Sequence, residues 1–533
     1  MLSAATLLFP PFRLDTANQQ LWRESQLLPL RPKTYKVLLY LARNSQRLIT
    51  KEELLNDVWA GVSVSGELLR VYIRELRRIL GDEPNTPRYI ETVTARGYRF
   101  LPPVASGPFL QPGEDGPREA DPTLKDGSAA DLRTTDPSPS SRRSVPIPVG
   151  ILHSLTGYMA RSESPVIDAT LLAIEEINQR GGILGRRIQP LVVDGQSNDK
   201  TFSVAAKQLI TEKGVCTLFG CWTSASRKTV LPIVEQHDHL LVYPTRNEGM
   251  EQSPNILYTG ATPNQQVIPA VRWAYGILGK KRFFLIGWNS VYSHATNAII
   301  RDEVDALGGE IVGEQYLPPL GADVAAVTRT ITRSKPDLIF SSVAGDINMH
   351  YTRALRAAGV TPDKVPTVYF CISEIELLSF SAREVIGDYA AWNYFQSLDS
   401  PENHAFVNRF RTRFGLQRAI ADPMEAGYVG VHLWVRAVEA AGSVDVPAIR
   451  QALGNVTLEA PEGPVRIDPA NQHTWKTVRV GKIMEGGQFE VIWSSEEPIR
   501  PETFPGSRTP GEWRAFLEDL FKRWSGQWTK PHR

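Results

Sequence analysis

Between residues 105 and 146 the chain changes character. The stretch from Gly107-Pro108 to Ser144-Val145 is rich in Pro, Gly, Ser, Asp and Arg and poor in aromatic and β-branched residues. Such a composition cannot bury enough apolar area to offset the entropy of ordering it. It reads as a flexible linker of roughly 40 residues, with a random-coil reach of roughly 35 Å. The chain therefore has two bodies: a front domain over 1–104 and a larger one over 147–500, with a tail over 501–533. Its 533 residues leave room for three or four units of ordinary size.

Charge follows the same division. Residues 1–104 hold 15 Lys/Arg against 10 Asp/Glu, a net +5, whereas the remainder is net −4, for +1 overall. A small basic head on a mildly acidic body points to nucleic acid at the front. Cys216, Cys221 and Cys371 cannot pair completely and form no CxxC, so neither a disulfide framework nor a zinc site is indicated. They are expected to be free thiols in a reducing cytoplasm. No run approaches the ~18 apolar residues of a membrane span. The opening Met1–Pro11 lacks a positive n-region and a cleavage site, so it reads as a strand rather than a signal peptide.

In the front domain, Gln26–Leu30 reads as a strand and Pro32–Leu41 as a helix started by proline. Thr50 and Glu53 have capping-box spacing at the start of a second helix. A third helix spans Gly66–Leu80. Leu69, Ile73, Leu76 and Leu80 form its apolar stripe, and Arg70, Arg74, Arg77 and Arg78 a basic one. Two short strands follow, Arg88–Val93 and Ala95–Phe100, joined by a turn carrying Arg96 and Gly97. A helix with an apolar back and an arginine front suits the major groove, where arginine can bond phosphates or guanine edges. The alternative is a solvated basic face, and the order helix, hairpin, turn weakens it.

Three segments, Leu76–Asp82, Tyr89–Val93 and Arg96–Phe100, resemble the winged-helix DNA-binding domain of response-regulator transcription factors. The resemblance covers residues ~5–104. It implies that 66–80 is the recognition helix, that 94–97 is the wing, and that Arg70, Arg74, Arg77, Arg78 and Arg96 meet double-stranded DNA.

The body alternates apolar strands with helices. Strands are expected at 147–152, 188–193, 215–220, 240–243, 282–287 and 338–343, with helices such as 166–179, 225–237 and 327–334 between them. That alternation predicts an α/β fold with a parallel doubly wound sheet, and strands and helices beyond 365 predict a second lobe. Small ligands of such folds lie beyond the carboxyl ends of the strands. Gly181-Gly182-Ile183-Leu184-Gly185 follows a helix and precedes a strand, the reverse of a dinucleotide site, and is read as a turn. Phe219–Lys228 is more informative. It is a strand end followed by Thr223 and Ser224 at a helix start, where hydroxyls and unpaired N–H groups can hold a carbonyl or carboxylate oxygen. Plain N-capping is the competing reading.

Several stretches across both expected lobes, among them Gly150–Gly157, Trp222–Lys228, Tyr258–Gln266, Ala390–Phe395, Asp422–Ala426 and Ala460–Val465, resemble the type I periplasmic-binding fold. They are most similar to the urea-binding proteins of ABC transporters and to the cytoplasmic amide sensor that regulates an aliphatic amidase. The resemblance implies a bilobed fold with pocket positions at Trp222, Thr223, Ser224, Tyr243, Thr245, Tyr292 and Asp346. Ser224 and nearby N–H groups would serve a carbonyl, and Asp346 and a tyrosine oxygen would accept from an NH₂. Trp222, Tyr243 and Tyr292 would exclude water. Thr245-Arg246-Asn247 departs from the Val-Gln-Tyr expected of urea binders, and Trp288-Asn289-Ser290 stands where an Asp-Tyr pair is usual. A branched-chain amino acid is the alternative ligand, and a transporter's solute receptor the alternative function.

The histidines are scattered and form no metal-ligand set, and no cofactor site is indicated. Asp346 and Glu374 could be drawn as an acid–base pair, but no activated nucleophile accompanies them, so no enzyme activity is expected. In the tail, Trp513, Phe516, Leu517, Leu520 and Trp524 make an apolar stripe that must be covered, by the chain's own body or by a partner. The sequence thus predicts a cytoplasmic one-component regulator. It would act as a homodimer, bind DNA through its head, sense urea or a short neutral amide in its body, and have no membrane contact.

Overall fold

The structure, a computed structural model, describes residues 6–16, 20–23, 26–28, 30, 32–58, 66–83, 86–93, 96–107, 145–318, 323–345, 347–378 and 382–530. The chain divides into two compact units, Met1–Asp136 and Pro137–Arg533. Most of the expected linker, residues 108–144, lies outside the described residues. Its first three residues are not linker. Ala105–Gly107 is a strand paired antiparallel with Thr6–Leu8, because an open sheet edge recruits backbone N–H and C=O groups whatever the side chains are.

The front unit opens with an antiparallel sheet in the order Gln26–Leu28, Gln20–Arg23, Phe12–Asp15, Thr6–Phe9, Ala105–Gly107. Helices follow at Pro32–Arg43, Lys51–Val58 and Gly66–Leu80. A second, three-stranded sheet centres Gly97–Phe100 between Leu48–Thr50 and Ile90–Val93. The Thr50 hydroxyl accepts the Glu53 N–H at 3.0 Å, as the capping spacing predicts. Leu69, Ile73, Leu76 and Leu80 are buried in one core with Phe9, Leu14, Leu38, Leu41 and Phe100. Phe9 and Phe100 meet edge to face at 5.1 Å, joining the two sheets.

The second unit is bilobed. The first lobe's sheet is parallel, in the order Ile188–Asp194, Ile147–His153, Leu218–Gly220, Leu241–Tyr243, Ile256–Tyr258. The second lobe repeats that order with Glu310–Leu317, Arg282–Trp288, Leu338–Ser342, Thr367–Tyr369 and Tyr389–Trp392, all parallel. It then adds Arg479–Ile483 and Phe489–Ser494 as an antiparallel edge. In both sheets the first strand lies between the second and third, which puts a topological switch point beside its carboxyl end. Glu310–Leu317 is half-buried along most of its length. It is polar because it is an edge strand, and so it escapes a search for apolar runs. The helix over Ala160–Gln179 starts six residues earlier than its apolar pattern suggests, with Pro165 inside its first turns.

The chain crosses between lobes three times, after Tyr258, after Trp392 and after Trp475. Asn393, fully buried in the second crossing, donates its amide to Gln265 O (3.1 Å) in the first and Thr477 O (2.9 Å) in the third. The tail helix, Pro510–Arg523, is capped by Thr509 and Glu512 and buries Trp513, Leu517, Leu520 and Trp524 in the second lobe's core against Ala295 and Ile299. Its stripe is covered by the chain's own body.

Candidate functional site

The front unit's basic helix face is built by sorting its arginines. At roughly 100° per residue, Arg77 falls beside the apolar Ile73 and Arg78 on the far side. Arg77 accordingly turns inward. Its guanidinium donates to Ile90 O at 2.9 Å and to Thr92 Oγ1 at 2.8 Å. Asp82, buried just beyond the helix, accepts the N–H groups of Arg88, Tyr89 and Ile90. Together these bonds fix the angle between helix and hairpin. Arg77, expected on the DNA face, is thereby also bonded to the hairpin. Arg74 and Arg78 are exposed, with no ion-pair partner among the described residues. Arg96 is exposed in the turn, of which Thr94 and Ala95 lie outside the described residues. Arg70 lies on the same helix.

In the second unit the two switch points face each other across a cavity of about 30 Å³, about the volume of one water. Trp222, Thr223, Ser224, Thr245 and Arg246 line it from the first lobe, and Trp288, Ser290, Tyr292 and Ala344 from the second. Thr529, from the segment after the tail helix, completes the wall. That segment crosses the cleft. Trp528 O accepts the Val291 N–H at 3.0 Å, and Lys228 of the first lobe sits 5.1 Å from the Trp528 ring centroid. A larger, open groove of about 870 Å³ lies on the first lobe's outer face beside Glu176, Arg409 and His432. It is away from both switch points, which the smaller cavity adjoins.

Each lobe aims a helix N-terminus at this cavity. Ser224–Gln236 is capped by Thr223, whose hydroxyl accepts the Ser226 N–H at 2.9 Å. Val291–Leu307 is capped by Ser290, which accepts the Ser293 N–H at 3.3 Å. First-turn N–H groups have no intrahelical acceptor, so both ends offer donors and a partial positive charge.

Several expected ligand groups are already engaged. The Ser224 hydroxyl donates to Glu248, so its proton is not free for a ligand carbonyl. Tyr243 does not reach the cavity, which corrects its expected role as a wall; its hydroxyl donates to Trp222 O at 2.8 Å beneath the helix start. Asp346 lies outside the described residues. Behind the helix start, Arg227 and Lys228 meet Glu248 and Glu251 in a buried four-charge cluster. Arg227 Nε donates to Glu251 at 2.7 Å and its Nη2 to Glu248 at 3.0 Å. Burial opposes the charge on Glu251, yet Arg227 and Lys228 outweigh it and hold the carboxyl below its usual range. Glu248 and Glu251 lie more than 20 residues beyond the helix start, and nothing local in the sequence pairs them with it.

Arg246 is the contributor that the resemblance did not supply, although its position marked a departure from it. It leaves the first lobe after Leu241–Tyr243 and reaches across the cleft. Its Nε donates to Tyr292 OH at 3.2 Å and its Nη2 to Cys371 Sγ at 2.7 Å. The guanidinium lies 4.9 Å from the Tyr292 ring centroid and 5.0 Å from that of Trp392. Gly260 permits this path, since a Cβ there would stand 2.1 Å from the Thr245 carbonyl carbon. Arg246 Nη1 and the Thr245 hydroxyl, both buried, have no hydrogen-bond partner among the described residues.

Residues 147–510 match the family described as periplasmic binding protein domain, and residues 25–100 match the family described as transcriptional regulatory protein, C terminal. A Leu/Ile/Val-binding protein homolog 6 of Brucella suis is 24% identical over 297 residues, 54% of this chain and 75% of that protein. The transcriptional regulatory protein KdpE of Mycobacterium tuberculosis is 36% identical over 90 residues, 17% of this chain and 40% of that protein. Another curated relative, 38% identical over 118 residues, is spanned over only 22% of its length. A solute-binding protein of an ABC transporter from Rhodopseudomonas palustris BisB5, solved with 3,4-dihydroxybenzoic acid, superposes with a TM-score of 0.62 at 21% identity. The superposition covers 68% of this chain and 99% of that one, so the two share a fold.

Proposed function

This chain belongs to the periplasmic binding protein domain family, and from that premise we propose that it is a ligand-sensing, one-component transcription regulator acting in the cytoplasm. One observation carries the reading: a winged helix whose exposed Arg74 and Arg78 have no ion-pair partner among the described residues and a two-lobed receptor with a cavity between its switch points share one polypeptide. A ligand between the lobes favours the closed form by its differential affinity. Closure alters how two receptor bodies pair, and so how two winged helices meet paired half-sites. The function is binding, without a catalytic step.

The ligand is small and polar. Urea or a short amide is one reading, supported by Thr245, Trp222 and Tyr292 on the cavity walls. At ~1.5 kcal/mol per heavy atom such a ligand binds no tighter than roughly tens of micromolar. An organic acid is the second reading, favoured by Arg246 and compatible with the Leu/Ile/Val-binding name of the Brucella protein and the 3,4-dihydroxybenzoic acid bound to the Rhodopseudomonas one. The test is promoter affinity of the full chain with and without urea, acetamide, leucine and benzoate. At least one should change it; no change with any of them sinks the regulator.

A further inference from the structure

Resting on the interlobe cavity as the sensor site, we propose that Arg246 sets the charge of the ligand and that the site takes a carboxylate. Arg246 is 6% exposed and stays protonated in any protein interior. Among the described residues none of its contacts supplies a negative charge. Burial pushes the Cys371 thiol and the Tyr292 phenol up, so both remain neutral donors or weak acceptors. Asp422 feels the guanidinium, but its carboxylate accepts the Asn393 and Tyr394 N–H groups at 3.1 and 3.0 Å. Among the described residues no acid lines the cavity.

Everything else on the walls also suits an anion. Two helix N-termini converge from opposite lobes, and Thr245 and Arg246, both on the cavity wall, each carry a polar atom without a partner among the described residues. A carboxylate has two oxygens, each of which accepts more than one hydrogen bond, and it would satisfy both orphans while supplying the missing counter-charge. A neutral amide would satisfy the donors with one oxygen and leave the cation uncompensated. The free volume is about that of one water, so the ligand is admitted as the lobes part, Arg246 and its Tyr292 and Cys371 partners belonging to different lobes.

Acid–amide pairs of matched shape test this: acetate with acetamide, benzoate with benzamide, leucine with leucinamide, titrated calorimetrically into the full chain. At least one acid should bind, and its amide should bind about 100-fold or more weakly. Arg246→Gln should remove that preference, whereas Arg246→Lys should keep part of it. The wild-type comparison decides the matter even if neither variant folds. An amide binding as tightly as its acid overturns the proposal and leaves the sensor standing. If no member of any pair binds, the proposal and the sensor reading fall together. If acids bind but promoter affinity never changes, the charge assignment holds and the regulator does not.

Discussion

Arg227 and Arg246 are both buried arginines, 19 positions apart, one behind the helix start and the other in the cleft. Arg227 meets Glu248 and Glu251. Arg246 meets two neutral groups and two aromatic faces. The first cluster neutralises itself, while the second has no acidic partner among the described residues. The front unit repeats the contrast, with Arg77 spent on the hairpin and Arg74 and Arg78 unspent. Within one unit, the chain satisfies one arginine with its own groups and leaves another without an acidic partner among the described residues.

The largest expected effect lies in the self-neutralised cluster. Glu251→Ala removes one partner of a buried ion pair and should cost about 3–5 kcal/mol. Arg246→Met should leave the stability of the ligand-free protein unchanged or raised, because it removes an uncompensated charge while keeping apolar volume. Urea denaturation of both variants checks the pair; equal losses would erase the distinction.

Glu374 sharpens it from the acid side. Burial raises its pKa from 4.5 to about 8, against the hydrogen bond from the Gln396 N–H. An uncompensated acid can pick up a proton; an arginine cannot give one up, so only the arginine requires a partner from outside. Because the folded pKa lies above the unfolded one, the contribution of Glu374 is fully present below pH ~4.5 and is lost as pH rises through about 8. The slope is at most ~1.4 kcal/mol per pH unit. Glu374→Gln should flatten that decline in unfolding curves taken between pH ~5 and ~8; a variant with the wild-type slope would show that Glu374 is not its source.

In the front unit, Arg77→Ala should lower unfolding stability by about 1–3 kcal/mol, since it strands the buried Ile90 carbonyl. Arg74→Ala with Arg78→Ala should leave stability within about 0.5 kcal/mol of wild type. The double variant should instead lower the salt dependence of promoter affinity by about 1 per lost phosphate contact. A double variant that unfolds, or that binds DNA with the original salt slope, contradicts this division.

Much of the architecture was legible because it is periodic. The stripe Leu69–Leu80, the strand Ile147–His153 and the tail's Trp513–Trp524 all declare a buried face. Edge strands such as Glu310–Leu317 did not, because a half-exposed strand needs no apolar run. The site was legible in part. Trp222, Thr223, Ser224, Thr245 and Tyr292 do come together. The engagement of Ser224 by Glu248 and of Tyr243 by the Trp222 carbonyl depends on tertiary contact. Arg246 announced itself only as a mismatch to a resemblance, and its meaning required knowing that among the described residues no acid lines the cavity.

Asn393 bears on how binding would be felt at a distance. One carboxamide bonds the backbone of the other two interlobe crossings, so the three cannot flex independently and the lobes should turn about a single pin. Motion in the cleft would then leave it as a rigid rotation rather than dissipate as local loosening. Asn393→Ala should broaden the interlobe distances read from paired spin labels; distances as narrow as the wild type's would mean that the pin does not carry the turn.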